Sequence, residues 1–419
     1  MSTEVFPLNT KQTYKSTLRA CYLGYITQSI VVNLAPIFFV IFKDSYGLST
    51  SQIGTIVFTL FIVQLLIDII SAGAIDRIGY RACAIAAHIF AGAGILLLGI
   101  LPRVMDNFAG IMIAEIIAAV GAGIIEVLIS PIVDLLPAES KSSSMSLLHA
   151  FYCWGQVAVV ALSTITLVVI GTEYWYYIPM AWAIVPTVGA VLFSFVPIPK
   201  PAAGGEESKP KKFLHTKFFV FAAFVMFAAA MSELSMSQWA SYFAERGLGV
   251  NKVMGDLLGP CMFGVFMGVG RTLYGIHGGK LKLSAALTWC SVICFGGYLL
   301  TVFSPIPMLS LVGCAVTGFG VSLMWPGTLS LASEKIPGGG TSLFALLALF
   351  GDLGCSVGPW LTGVVSDGVS DMPLIESLSK SLEVGIDQLA LKAGLLVIAV
   401  FPIMAAVAIR LINGKNSKK

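Results

Sequence analysis

Glu126 is the residue in this sequence best placed to do chemistry. It interrupts an apolar run, VGAGIIEVLISPIVDLL (120–136), with Gly121 and Gly123 before it and Pro131 after it. An ionised carboxylate surrounded by hydrocarbon costs several kcal/mol, so such an acid faces other helices or a water-filled path. A helix over about 108–136 puts it about 6 Å from the midpoint at 1.5 Å per residue. Glu115, eleven residues earlier, lies on nearly the same face, with Ala119, Ala122 and Ser130 completing a narrow stripe of small and polar side chains. Two readings of Glu126 stay open: a carrier of protons, or an acid bonded to a neighbouring helix for packing. Its position favours the first; Glu115 is evenly balanced.

A related passage, TGFGVSLMWPGTLSLASEKIPGGGTSLFALLALFGD (317–352), follows about 196 residues later. Gly121 and Gly123 correspond to Gly318 and Gly320, Pro131 to Pro326, Gly155 to Gly351 and Gln156 to Asp352. The offset is close to half the chain, which reads as a duplicated membrane protein with a buried acid in each half.

Composition supports a membrane setting. The 419 residues are 57% hydrophobic and 11% charged, against roughly 25% charged for a soluble domain. Spans of about 20 apolar residues occur twelve times, at roughly 18–42, 53–74, 82–101, 108–136, 145–170, 175–196, 217–243, 253–275, 283–303, 308–333, 341–365 and 391–412. The expected fold is therefore an all-α membrane protein of twelve transmembrane helices in two six-helix pseudo-symmetric halves. The expected organisation is an N-terminal tail (1–17), a first bundle (18–196), a Pro/Gly/charge-rich linker (197–216), a second bundle (217–412) and a basic tail (413–419). Residues 366–390 read as a polar, partly helical loop. Lys11, Lys15 and Arg19 precede an apolar run longer than a secretion signal, so the first span is expected to stay in the membrane.

Lysine and arginine decide orientation. With both termini inside, 19 of these residues fall inside and 6 outside, which places the termini in the cytoplasm of a multi-pass cell-membrane protein. Tyr174, Trp175, Tyr176 and Tyr177 then mark the outer interface. Trp175 and Trp182 read as packing or interface anchors and His88 as a packing residue. The eight cysteines fall in apolar runs without metal-ligand spacing and read as small buried hydrophobes. No metal, cofactor or nucleic-acid partner is expected. The absence of a phosphate-binding loop or nucleophile elbow excludes an ATP-driven pump and an enzyme.

Further polar residues sit in the spans. The first offers Tyr25, Gln28, Ser29 and Asn33; the seventh offers Glu233, Gln238, Trp239, Ser241 and Tyr242; the tenth offers Trp325; the eleventh offers Asp352 and Ser356. Amides and an aromatic face suit a polyhydroxylated solute. Which face of the seventh helix points inward is open.

The junction of the second and third spans reads SAGAIDRIGYRA, with Asp76, Arg77, Gly79 and Arg81. An acid and an arginine at a helix end can lock neighbouring helices through charge-assisted hydrogen bonds that break when the halves rock. In a six-plus-six chain this loop resembles the signature loop of the major facilitator superfamily, with Ala72 where a glycine is usual. The equivalent junction, GRTLYGIHGGKLK, keeps Arg271, Gly275, Gly279 and Lys280. Within that superfamily the pattern G-x-G-x-x-E, a proline five residues on, then His149 and Tyr152 before Gly155, resembles the fucose/hexose–proton symporters. Trp239 with Tyr242, Gly270 with Arg271, Trp325 with Pro326 and Val365-Ser366-Asp367 agree. The resemblance implies that Glu126 is the proton-linked acid and that His149 and Tyr152 contribute polar groups. The family's second acid, in the first span, has Val32 or Asn33 in its place.

The favoured expectation is a secondary transporter importing a sugar or similar small polar solute with protons, working as a monomer. Glu126 carries the proton; Gln28, Asn33, His149, Tyr152, Gln238, Trp239, Trp325 and Asp352 contact solute; Asp76, Arg77, Gly79 and Arg81 gate. Sodium coupling stays open. Glu233 and Asp352 do not follow from the symporter pattern and suit the alternative, a proton-driven exporter of cationic or amphipathic compounds. A non-transporting membrane receptor is a third possibility, against which the short loops argue.

Overall fold

The computed structural model describes residues 14–137, 141–198, 214, 216–277, 282–336 and 340–414, all helix, turn or irregular segment with no strand among them. Twelve helices among the described residues are long and apolar enough to cross a membrane. They are α1 (Lys15–Tyr46), α2 (Thr50–Ile70), α3 (Tyr80–Val104), α4 (Asn107–Val133), α5 (Leu147–Ile170), α6 (Tyr177–Phe195), α7 (Lys217–Gly247), α8 (Lys252–Tyr274), α9 (Leu283–Phe303), α10 (Pro307–Ala332), α11 (Leu346–Ser370) and α12 (Ile386–Leu411). Helical geometry runs past several of these limits, to Ile78 after α2 and back to Lys141 before α5. A helix at Pro373–Leu382 fills the polar loop expected between α11 and α12. Twelve crossings among the described residues put residues 14 and 414 on one face, the terminal face. Most of the 197–216 linker and the tails beyond 14 and 414 lie outside the described residues.

Local chemistry explains the breaks. Pro36 cannot donate a helical hydrogen bond, and α1 tightens into a 3-10 turn at Ala35–Phe38 before resuming at Phe39. Gly47 closes α1 at φ +67°, its N–H returning to Lys43. Ser49 then opens α2 with a capping box to Gln52. Pro260 sits in a π-turn, Leu257–Cys261, near the start of α8.

Small residues let the helices touch. A Cβ on Gly121 would lie 2.3 Å from Ala91 N on α3, and one on Gly123 would lie 3.0 Å from Gln64 O on α2. In the second half, Gly318 meets Phe263 O on α8 at 2.3 Å and Gly320 meets Cys294 N on α9 at 2.4 Å. So α4 and α10 each seat two neighbours on a glycine pair. Their order is crossed: the first glycine faces α3 in one half and α8, the counterpart of α2, in the other. Large side chains such as Val104, Val169, Phe195 and Trp289 are exposed on the outside, as hydrocarbon contact requires. Trp175 departs from the expected interface role. It is 3% exposed and packs on Phe38, Phe42 and Tyr46 of α1, while Tyr174 and Tyr177 remain exposed.

The halves meet chiefly where α2 lies against α11 and α5 against α8. A Cβ on Gly54 would stand 3.4 Å from Trp360 Cα, and one on Gly268 would stand 3.3 Å from Cys153 Cβ. Toward the face away from the termini, hydrogen bonds and an ion pair cross between the halves. Lys252 Nζ donates to Ile37 O (2.7 Å), Ser51 N to Asp367 Oδ2 (2.7 Å) and Thr164 Oγ1 to Asp256 Oδ2 (2.7 Å), and Arg246 pairs with Asp44. These contacts tie the two halves together at that face.

Candidate functional site

Two polar groups sit in the interior, both touching α1. The first surrounds Glu126. Gln28 Nε2 on α1 donates to Glu126 Oε2 at 2.8 Å, and Gln64 Nε2 on α2 donates to the same oxygen. One turn beyond Gln64 stands Asp68, and α11 brings Asp352. Carboxylate oxygens of Asp68, Glu126 and Asp352 all lie within 4.8 Å of one another. Asp68 and Asp352 are buried, at 8% and 1% exposure, and Glu126 is half-buried. Both oxygens of Asp68, Oδ2 of Asp352 and Oε1 of Gln64 meet no N–H or hydroxyl donor among the described residues, and the Asp68 and Asp352 carboxyls lie close enough to share a proton. The group straddles the halves: Asp68 and Glu126 come from the first, Asp352 from the second.

The second group is built on an ion pair. Arg271 Nη2 on α8 lies 3.4 Å from Glu233 Oε2 on α7, both side chains under 10% exposed. Arg271 also donates to Ser322 O (3.1 Å) and to the backbone oxygen of His149 (3.4 Å), tying α8 to α10 and α5. The His149 ring stands edge-on to Tyr25 at 5.0 Å, and Tyr25 shares a hydrogen bond with Ser130 of α4 (2.8 Å). Asn33 Nδ2 donates to Tyr152 Oη at 3.3 Å. Gln238 Nε2 donates to Val32 O (3.0 Å) and Gln156 Nε2 to Ser237 Oγ (2.9 Å), so amides cross between the halves here as well.

The residues singled out from the sequence therefore divide. Glu126, Gln28 and Asp352 come together in the carboxyl group. Asn33, His149, Tyr152 and Glu233 lie in or beside the second group. Trp239 is fully buried, its indole N–H bonded to Pro359 O (2.9 Å) and its ring against Phe39 and Tyr242. Trp325 stacks on the backbone at Gly351, beside Asp352: a Cβ there would lie 2.2 Å from the indole. Glu115 is buried elsewhere on α4, outside the carboxyl group. The side chains of Asp76 and Arg77 lie outside the described residues. Gly79 takes φ +95° at the α2–α3 junction, a conformation glycine tolerates. Arg81 donates to Phe193 O (2.8 Å), Ser194 O (2.6 Å) and Val196 O (2.9 Å), so it caps the end of α6 within its own half.

Asp68 and Gln64 do not appear among the candidates above. Their signal is in the sequence all the same: an acid and an amide four residues apart inside the apolar run of α2, on one helix face. Arg271, counted above with the charges of the loops, is instead a buried cation with a buried partner. Its pairing across three helices has no local signature.

The profile of the Major Facilitator Superfamily matches residues 21–359. The chain belongs to that superfamily. It is a transporter of the major facilitator type and a multi-pass membrane protein. No curated protein matches the sequence. Among solved structures, a bacterial homologue of the human lysosomal transporter Spinster, inward-facing and occupied, is similar over 97% of this chain and 98% of its own, at 14% identity and TM-score 0.72. A D-xylose–proton symporter is similar over 95% and 97%, at 15% identity and TM-score 0.73. The E. coli fucose:proton symporter is similar over 94% and 99%, at 15% identity and TM-score 0.61. At these identities the likeness shows the fold alone.

Proposed function

We propose that this transporter is a symporter that carries a sugar or similar small polar solute with protons, with Asp68, Glu126 and Asp352 as the coupling centre. The single observation behind this reading is the meeting of the three carboxyl groups within 4.8 Å of one another, contributed by both halves. At an effective dielectric of about 20, two carboxylates at that separation repel by about 3 kcal/mol. Away from water the group therefore holds a proton or another cation. A neutralised group lets α2 and α11 close; an unneutralised one pushes them apart. Binding of the cation is thereby linked to the conformational equilibrium, as coupling requires. One charge crossing 100 mV releases about 2.3 kcal/mol, enough for roughly fiftyfold accumulation of a neutral solute.

Solute recognition falls to the polar groups beside the coupling centre: Asn33, Tyr152, His149 and the Arg271–Glu233 pair, with Gln28 adjoining both groups along α1. Amides, hydroxyls and a paired guanidinium suit hydroxyl-rich solutes. In this reading the charge distribution sets both termini in the cytoplasm, and one chain contains every residue used.

The alternative of an exporter of cationic or amphipathic compounds draws on the same three acids, which have no lysine or arginine partner among the described residues. Uptake by proteoliposomes under an imposed proton gradient separates the two. With a panel of hexoses, deoxyhexoses, pentoses and cationic dyes, symport predicts proton entry triggered by a neutral solute. Proton movement evoked only by dyes moving the opposite way supports the exporter and overturns the symport reading.

A further inference from the structure

We propose that the Pro373–Leu382 helix, on the face away from the termini, docks on the membrane surface. Leu374, Leu378 and Leu382 then sink into the boundary between the headgroups and acyl chains of neutral lipids. The helix is ten residues long and buries none of them. Helices shorter than about 12–15 residues are marginal in water and owe their stability to an apolar face packed on something. Local support is slight: Pro373 sits in the first turn, and Glu376 pairs with Lys380 on the surface. No side chain caps its start, and Glu383 closes it at φ +53°, a conformation that disfavours a side chain.

The side chains show where the missing cover lies. Leu374, Leu378 and Leu382 recur every four residues and form one exposed stripe, with half-buried Ile375 along its edge. Glu376 and Lys380, 2.7 Å apart, occupy the opposite side. This division of leucines from charges is that of a helix lying in the plane of a membrane interface.

Reach and continuity favour lipid over a second protein. The 25 residues of α11 (Leu346–Ser370) extend about 37 Å at 1.5 Å per residue, against about 30 Å of hydrocarbon, so its end stands among the headgroups. Two residues join Ser370 to Pro373 and three join Leu382 to Ile386; chain that short keeps both ends of the helix beside the bilayer. On α12, Ile386, Val397, Val400, Met404, Val407 and Leu411 are exposed and share one face by helical spacing. That lipid-facing stripe begins at Ile386, where the connection from the short helix ends, and Met372 is exposed at the other connection. The leucines therefore continue an apolar surface that already meets hydrocarbon. Charge selects the lipid: Asp371, Glu376, Glu383 and Asp387 stand against Lys380 alone, so anionic headgroups repel this segment and neutral ones do not. Asp367, which accepts from Ser51 across the halves, lies six residues before Pro373. A helix held by lipid thus steadies the end of α11 that carries this bridge.

The test uses the full-length protein in lipid nanodiscs. The native cysteines are buried, so the environment-sensitive fluorophore NBD can be attached singly at Leu374→Cys, Leu378→Cys, Glu376→Cys or Lys380→Cys. In phosphatidylcholine discs the expected result is blue-shifted emission at Leu374→Cys and Leu378→Cys. Quenching there by a lipid nitroxide placed near the headgroup should exceed quenching by aqueous iodide at least threefold, with the reverse at Glu376→Cys and Lys380→Cys. Water-like emission with iodide quenching at all four positions overturns the proposal. Protection of Leu378→Cys from both quenchers also overturns it, since that marks cover by protein, such as a second copy of the chain. Closer lipid contact in phosphatidylglycerol than in phosphatidylcholine overturns the choice of a neutral surface.

Discussion

Asp352 on α11 and Asp68 on α2 bring their carboxylate oxygens within 4.8 Å of each other, so the two halves of this transporter meet at a pair of acids. The pair lies where the halves must separate and rejoin in any alternating-access cycle. In the proposed cycle a proton or cation between them would bridge the moving interface, and its departure would leave repulsion in the same place.

The first prediction follows from that position. Asp68→Asn keeps the shape but removes a charge that has to be neutralised, so closure no longer depends on the ion. Concentrative uptake should fall tenfold or more, while solute exchange at equal concentrations across the vesicle membrane stays within about threefold of wild type. Parallel measurement of the two rates checks it.

The buried pair of Arg271 and Glu233 predicts a stability effect. Removing one member of a buried ion pair leaves an uncompensated charge and costs about 3–5 kcal/mol, whereas replacing both with apolar residues is far milder. Glu233→Leu should lower the Tm of the purified protein markedly, and the Glu233→Leu/Arg271→Leu double variant should recover most of the loss. Thermal unfolding in detergent decides between this and simple additivity.

Toward the face away from the termini the halves are bridged, with Ser51 N bonded to Asp367 Oδ2 at 2.7 Å. All eight cysteines are buried, which favours selective labelling of introduced ones. A short bis-methanethiosulfonate cross-linker across Ser51→Cys and Asp367→Cys should abolish transport, and reductant should restore it. Full transport by the cross-linked protein would mean that this face does not open.

Close helix approach makes the glycines of α4 unequal. Gly121→Ala puts a methyl 2.3 Å from Ala91 N, whereas Gly123→Ala meets Gln64 O at 3.0 Å. Overpacking of this kind costs about 1–3 kcal/mol. Gly121→Ala should therefore lower Tm and the yield of monodisperse protein by more than Gly123→Ala, as fluorescence-detected size exclusion can measure.

The fold was legible because hydropathy and helix length carry it. The twelve apolar stretches follow from the need to satisfy backbone groups in hydrocarbon, and the superfamily match agrees; the glycine pairs were visible too, but their crossed order appears only in the helix contacts. The coupling group was only half legible. Glu126 and Asp352 stand out as acids in apolar helices. Asp68 carries the same mark in α2, yet its meaning depends on α11 arriving opposite, a contact 284 residues away in sequence. Arg271 was less legible still: at the end of α8 a cation reads as a topology signal, and only the convergence of α5, α7 and α10 turns it inward. Trp239 shows the reverse case, an aromatic in a plausible binding position that packing and Pro359 O already occupy.

The most direct test of the coupling claim is proton movement in proteoliposomes during solute uptake, wild type beside Glu126→Gln. The account predicts solute-triggered alkalinisation outside wild-type vesicles, absent from the variant, with solute exchange retained in both. A Glu126→Gln protein that moves protons with solute as wild type does would contradict it and return Glu126 to a packing role.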